Sequence, residues 1–372
     1  MGQRIVENFV ALHGGACAYA YEMTKGLIEN GCEVMAIISP KMDNYASWKS
    51  LKGLTVVEVS GYSTKTDFVI GLFKFFLSDR KKIKESVAAF QPNYVYIPFI
   101  SYWTELVQTA IGDYPIYFTL HDVYPHDGNE NLIWKSSNRV AKKAKKIIVL
   151  SKCFVEDIHN NYGLDYKDII VVPHGNYFTG DVKKKDDDGK FHLVFYGRIT
   201  TYKGLNVLAD AFKEVVAKHD NVELLIAGNG DFSPYKEKYD SFEKSKVNII
   251  NRWIDDSEVE GFFENARTIC VLPYINATQS GVIPLAMHCK ALVVTTNCSG
   301  LSEQVENGVT GYIIEPNNPE ELAAILNYII DNWEESAAIA EQSYSYIQTL
   351  TWNNITKIII DDYCQESMEG NR

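Results

Sequence analysis

Long apolar runs, paired cysteines and a dinucleotide glycine fingerprint are all missing from this sequence. No stretch reaches the roughly 18 uncharged apolar residues of a membrane-spanning helix. The first residues lack the charged and apolar blocks of a secretory leader, so a cytoplasmic protein is expected and a periplasmic binding protein is not. The seven cysteines, Cys17, Cys32, Cys153, Cys270, Cys289, Cys298 and Cys364, are odd in number and never spaced C-x-x-C. Reduced thiols packed as small hydrophobes are the expectation. No segment of roughly 20 to 50 residues repeats, which argues against solenoids and propellers. "AGNGDFS" (Ala227–Ser233) holds G-x-G without a third glycine or a strand-end acid at the right distance, which argues against a nicotinamide cofactor. The run Asp186–Asp188 looks like a metal-binding D-x-D, but it follows three lysines and reads as solvated charge, so no metal is expected.

What is present describes a globular chain of 372 residues, 46% hydrophobic and 23% charged, long enough for two domains. The net charge of −12 is uneven: residues 1–180 hold 19 basic against 18 acidic side chains, and the remainder 17 against 30. An acidic second half argues against a nucleic-acid partner. In the first half, "DRKKIK" (Asp79–Lys84) and "RVAKKAKK" (Arg139–Lys146) accompany the apolar "FVIGLFKFF" (Phe68–Phe76). That combination suits peripheral contact with an anionic membrane surface through the N-terminal domain, and it suits the solvated face of a helix as well.

Seven short β-branched or aromatic runs, from "RIVENFVAL" to "DIIVVP", alternate with helix-like stretches, predicting parallel strands crossed by helices. The pattern breaks in the polar "HGNYFTGDVKKKDDDGK" (His174–Lys190) and restarts with six more runs, from "FHLVFYG" to "GYIIEP". The reading is a domain over 1–175, a linker over 176–190, a second doubly wound α/β domain over 191–350, and a terminal helix over 351–372. Two such domains imply a cleft, and ligands of open α/β sheets sit beyond the carboxyl ends of strands.

Three strand-end turns suit phosphate. Gly14 and Gly15 precede a helix that ends near Gly31; glycines let backbone amides approach an anion, although they also serve any tight turn. In "FYGRITTYKGL", Arg198 and Lys203 flank a loop after the first strand of the second half, a planar fork and a point charge suited to a diphosphate. In "YINATQSGVIPLAMHC", Thr278, Gln279 and Ser280 precede a helix opened by Gly281, and no carboxylate stands between Asn276 and His288 to repel an anion from the helix start. Plain N-capping is the competing explanation. His121 and Asp122 follow a strand of the first half, with His126 in the same loop; His121 is a candidate donor toward a ligand, or a satisfied structural histidine.

Together these motifs resemble the retaining glycosyltransferases of GT-B fold, family 4, the "glycosyl transferases group 1" type. The resemblance rests on "HGGA" with "LIENGCEV", on "KIIVLS" and "DIIVVPHG", on "GRITTYKGL", on "LLIAGNGD", on "SGVIPLAMHCKALVVTTNCSGLSEQVENGVTGYII" and on "TWNNITKIIIDDY". It implies two Rossmann-like domains facing a cleft, with the last helix, from Trp352, crossing back to the first domain. It implies a UDP- or GDP-linked sugar as donor, with no further cofactor and no metal. Arg198 and Lys203 would hold the diphosphate, Gly14 and Gly15 close over the phosphate, and His121 reach the donor sugar. "NRWIDD" (Asn251–Asp256) follows a strand where the family often seats its base.

One departure stands out. Many members carry two glutamates where this chain has Ala277 and Leu285; the "TQSGVIPLA" form is similar to that of polysaccharide-synthesis enzymes. Thr278, Gln279, Ser280 and Gly281 would then meet the donor with neutral groups and amides. The expectation is a hexosyltransferase acting on a glycan or lipid-linked glycan, with a non-catalytic sugar-nucleotide-binding protein of the same fold as the rival.

Overall fold

Among the described residues thirteen strands form where the β-branched runs stand, because strands covered on both faces by crossover helices read as continuous apolar segments. The computed structural model describes every residue except Met1, Leu12, Ser63, Asp122, Pro125–Glu130, Thr179, Asp181, Thr278, Ser299 and Gly370–Arg372, and the side chains of Lys65, Asp256 and Glu366–Glu369. The chain divides into two units, Met1–Pro173 with Trp352–Arg372, and His174–Thr351.

Unit 1 holds a seven-stranded parallel sheet of order β3-β2-β1-β4-β5-β6-β7. Its strands are β1 (Arg4–Asn8), β2 (Glu33–Ile38), β3 (Leu54–Glu58), β4 (Tyr94–Ile97), β5 (Ile116–Thr119), β6 (Lys146–Val149) and β7 (Ile169–Val171). The crossovers carry α1 (Gly15–Glu29), α2 (Tyr45–Ser50), α3 (Lys65–Lys74), α4 (Arg80–Phe90), α5 (Thr104–Ile111), α6 (Leu132–Ala141) and α7 (Val155–Tyr162), with a π-helical turn at Phe75–Asp79 joining α3 to α4. Gly31, at φ +82°, ends α1: Gly31 N–H donates to Ile28 O at 2.9 Å and Cys32 N–H to Leu27 O at 3.0 Å.

Unit 2 holds a six-stranded parallel sheet of order β10-β9-β8-β11-β12-β13. The strands are β8 (Phe191–Tyr196), β9 (Val222–Gly228), β10 (Val247–Asn251), β11 (Thr268–Leu272), β12 (Leu292–Thr296) and β13 (Tyr312–Ile314), with helices α8 (Leu205–Val216), α9 (Lys236–Asp240), α10 (Asp256–Val259), α11 (Val282–His288), α12 (Leu301–Gln304), α13 (Pro319–Asp331) and α14 (Trp333–Thr349). The polar segment 176–190 is laid along this unit: Lys184 Nζ donates to Phe263 O at 2.8 Å and Asn265 O at 3.1 Å, and Asp187 accepts from Arg267 at 2.9 and 2.7 Å.

The last helix, α15 (Trp352–Glu369), returns to unit 1 and packs along α1. The two backbones meet at Gly26, where a Cβ would lie 2.6 Å from Trp352 O. Asn30 Nδ2 donates to Asn353 O at 2.8 Å, and Asp362 joins Asp168 around the buried Lys146 ammonium, each at 3.2 Å. Among the described residues no helix is long and apolar enough to cross a membrane.

Candidate functional site

In each sheet the strand order reverses once, between β1 and β4 in unit 1 and between β8 and β11 in unit 2. Such switch points leave a crevice at the strands' carboxyl ends, and the described candidate residues follow the carboxyl ends of β1, β5, β8 and β11.

In unit 2 the turn after β8 is pressed onto the end of β11. Gly204, at φ +73°, makes this possible, since a Cβ there would lie 1.8 Å from Pro273 O. The two loops are joined by Ile275 N–H donating to Tyr202 O at 2.7 Å. This clamp sets Lys203 over Tyr274, its Nζ 3.5 Å from the ring centroid. Burial drops the Lys203 ammonium from 10.5 to about 7, and Arg198 adds to the shift by charge repulsion. Arg198 is exposed, and neither cation has a carboxylate partner among the described residues. Two cations at a strand end, without counter-ions among the described residues, carry the charge that holding an anion requires.

Beyond β11, the Tyr274 hydroxyl lies 3.5 Å from Ser280 Oγ, which accepts from Val282 N–H at 3.2 Å. Ser280 is braced by Gln304: its N–H donates to Gln304 Oε1 at 2.8 Å and its carbonyl accepts from Gln304 Nε2 at 3.1 Å. The Ser280 amide is therefore already engaged. Gly281 caps α11, with Pro284 in the first turn where its missing N–H costs nothing. Gln279 Oε1 is buried without a hydrogen-bond partner among the described residues, a group a ligand hydroxyl could satisfy. Thr278 lies outside the described residues. Trp253, after β10, is 76% exposed, and Arg252 beside it grips Glu258 at 2.8 and 2.6 Å.

In unit 1, Gly14 holds φ +78° at the start of α1 and its N–H donates to Asp43 Oδ2 at 3.1 Å. His13 Nδ1 meets the other Asp43 oxygen at 2.6 Å and holds that carboxyl below its usual range. Gly15 is the first residue of α1, open to solvent. After β5, His121 is half-buried between Tyr19, edge-on at 4.7 Å, and Phe99 at 4.4 Å; its Nε2–H donates to Pro98 O at 2.9 Å, which fixes a proton on that nitrogen. Asp122 and His126 lie outside the described residues.

Two family descriptions cover most of the chain: Glycosyltransferase Family 4 matches residues 13–175, and Glycosyl transferases group 1 matches residues 179–346. The chain belongs to the GT-B glycosyltransferases. An uncharacterized glycosyltransferase of Methanocaldococcus jannaschii is 27% identical over 235 residues, 59% of each chain. A D-inositol 3-phosphate glycosyltransferase of Paenarthrobacter aurescens is 21% identical over 250 residues, 63% of this chain and 61% of that protein. The chain thus spans about three fifths of the length of these curated relatives. Among solved structures, the Anabaena protein HepE in complex with UDP-glucose superposes with a TM-score of 0.67 at 17% identity, covering 98% of this chain and 99% of that one, a likeness of fold.

In this member of the family, the two positions that lack the glutamates are apolar. Leu285 is 2% exposed inside the unit 2 core, and Ala277 packs against that core. Sequence reasoning missed Tyr274, the platform under Lys203, and Gln304, the brace of Ser280. A tyrosine directly after a strand-ending proline was the one available signal for the first; for the second, 24 residues of separation left none.

Proposed function

We propose that this glycosyltransferase moves a hexose, with retention at the anomeric carbon and without a metal, from a UDP- or GDP-linked sugar to a glycan or lipid-linked glycan of a cell-surface polysaccharide. The observation that carries this reading is Lys203: a half-buried cation beside Arg198, without a counter-ion among the described residues and held near neutrality until an anion arrives.

On this reading Arg198 and Lys203 bind the diphosphate, and their charge stabilises it as it departs. The bond from the sugar carbon to phosphate oxygen breaks while the acceptor hydroxyl bonds to the same face. The hydroxyl proton passes to the leaving phosphate oxygen. Gln279 Oε1 accepts from a hydroxyl of the donor sugar, to which Thr278 is also assigned, and the Gly281 amide serves the phosphate. With the Ser280 amide held by Gln304, Ser280 shapes this turn rather than donating to the ligand. Gly14 and Gly15 offer the first amides of α1 to phosphate, with Gly14 exchanging Asp43 for the ligand. His121, whose Nε2–H is held by Pro98 O, donates toward the sugar only through Nδ1, and so only as the imidazolium.

The chain would work in the cytoplasm, resting on the membrane through unit 1. There Val69, Ile70, Phe73, Phe76 and Leu77 are 49–82% exposed along α3 and the π-helical turn, and Arg80, Lys81 and Lys84 follow on α4.

A thermal-shift panel of UDP, GDP, ADP, CMP and NAD on wild type and Arg198→Ala tests the donor site. One nucleoside diphosphate raises the melting temperature, and the variant loses most of that rise. No shift with any of them removes the donor-site assignment. Apolar Ala277 and Leu285 favour a second reading, a protein that binds sugar nucleotide without turnover. Diphosphate binding combined with neither donor hydrolysis nor transfer to any acceptor would select it.

A further inference from the structure

Unit 1 carries a groove that none of these roles uses. It lies between α6 and α7, holds about 450 Å³, and is walled in part by Trp134, Lys135, Asn138, Arg139, Lys142 and Tyr162. That volume falls in the range of small-molecule sites, roughly 300–1,000 Å³. Residues 135, 138, 139 and 142 recur at helical spacing and so share one face of α6.

The charge in the groove is unbalanced. Arg139 is neutralised by Glu105, which it grips at 2.9 and 2.5 Å while Ser136 Oγ donates to the same carboxylate at 2.9 Å. Lys135 and Lys142 are exposed and have no acidic partner among the described residues. Seven residues apart on a helix, their backbones are separated by about 10 Å. Charges on successive or alternate rings of a polymer match that spacing.

The uncharged lining fits sugar rings. Tyr162 donates its hydroxyl to Asn138 Oδ1 at 2.5 Å, which leaves the Asn138 amide nitrogen as a donor into the groove. Trp134 supplies a half-buried aromatic face, and Tyr124, 51% exposed, stands at the margin with its hydroxyl bonded to Asp157. Apolar faces beside polar tips and amides accommodate the alternating faces and hydroxyls of a saccharide.

The geometry points to a binding groove for an anionic oligosaccharide: its carboxylates or phosphates meet Lys135 and Lys142, and its rings lie against Trp134 and Asn138. As a hold for the growing acceptor the groove rests on the transferase reading above; as a binding site it does not. Calorimetric titration of the full chain, without donor, tests it with a galacturonate hexamer, a mannose-phosphate oligosaccharide of similar length, maltohexaose and inorganic phosphate. One or both acidic oligomers bind, at least tenfold more weakly to Lys135→Ala/Lys142→Ala and more weakly in high salt, while maltohexaose and phosphate do not. The acidic oligomer that binds identifies the anion as carboxylate or phosphate. Equal affinity for maltohexaose, binding of free phosphate as tight as of an oligomer, unchanged affinity in the double variant, or no binding of either acidic oligomer overturns the proposal. Both substituted side chains are exposed, so the variants fold, and a negative result leaves the donor-site panel unaffected.

Discussion

Lys203→Met keeps an unbranched apolar stem and removes the charge. The wild-type ammonium falls from 10.5 to about 7, and at about 1.4 kcal/mol per pH unit that shift corresponds to about 5 kcal/mol against the charged form. Solvent reaches a half-buried group, and the cation–π contact with Tyr274 returns about 0.5–2 kcal/mol. The variant is therefore expected to be more stable at pH 6–7 by about 1–3 kcal/mol. The pH dependence has a definite sign. Below 7 both folded and unfolded chains hold the proton and the cost is full. Between 7 and 10.5 the unfolded chain keeps a proton that the folded chain has lost, so wild-type stability rises with pH and the variant's advantage shrinks. Diphosphate affinity moves the other way: loss of a charge-assisted contact weakens binding by about 1.5–3 kcal/mol, or roughly 10- to 150-fold. Wild-type affinity itself declines as pH rises above 7, because the anion needs the protonated form. Urea unfolding at three pH values and calorimetry with the selected diphosphate measure both. A variant less stable than wild type at pH 6, or one that binds the diphosphate equally well, refutes the reasoning.

Four further outcomes are expected. Gln279→Ala lowers affinity for the nucleotide sugar several-fold but leaves the bare diphosphate unchanged, since the unpaired Oε1 is assigned to the sugar; equal loss for both ligands in calorimetry counts against that assignment. Gly204→Ala, strained at φ +73° and blocked by Pro273 O, destabilises unit 2 by about 2 kcal/mol or more and weakens diphosphate binding; wild-type unfolding and affinity would disprove the clamp. Burial lifts the Glu7 carboxyl from 4.5 to about 8. The folded chain thus keeps a proton the unfolded chain has lost, and stability falls as pH rises through that window; Glu7→Gln flattens the decline, and an unaltered pH–stability profile would contradict this. Phe73→Asp/Phe76→Asp reduces co-sedimentation with anionic vesicles at least fivefold, whereas undiminished co-sedimentation removes α3 from the membrane contact.

The layered architecture was readable because strands buried on both faces must be continuously apolar. Each of the thirteen runs became a strand, and the order reversal that locates the ligand edge follows from their crossovers. Arg198 and Lys203 were visible as cations in a Gly-bounded turn. Their difference was not: one is exposed, and the other lies over the ring of Tyr274, which stands 71 residues further on, just past β11. The brace between Gln304 and Ser280 was likewise silent, because an amide pairing with a distant backbone leaves no periodic trace. The Gly14 turn read as an open anion cradle, yet Asp43, itself held by His13, already occupies the Gly14 amide. Composition counts charges without saying which ones a loop will bring back.

The return of α15 to α1 has a consequence for synthesis. Tyr19, which packs edge-on against His121, also packs against Trp352 at 5.5 Å, and Gly26 is shaped for the Trp352 backbone. A nascent chain that has emitted all of residues 1–173 still exposes the α1 surface that these contacts cover. Unit 1 completes only after all of unit 2 has been translated, so a ribosome stalled anywhere before Trp352 holds an unfinished first unit with α1 open to chaperones and proteases.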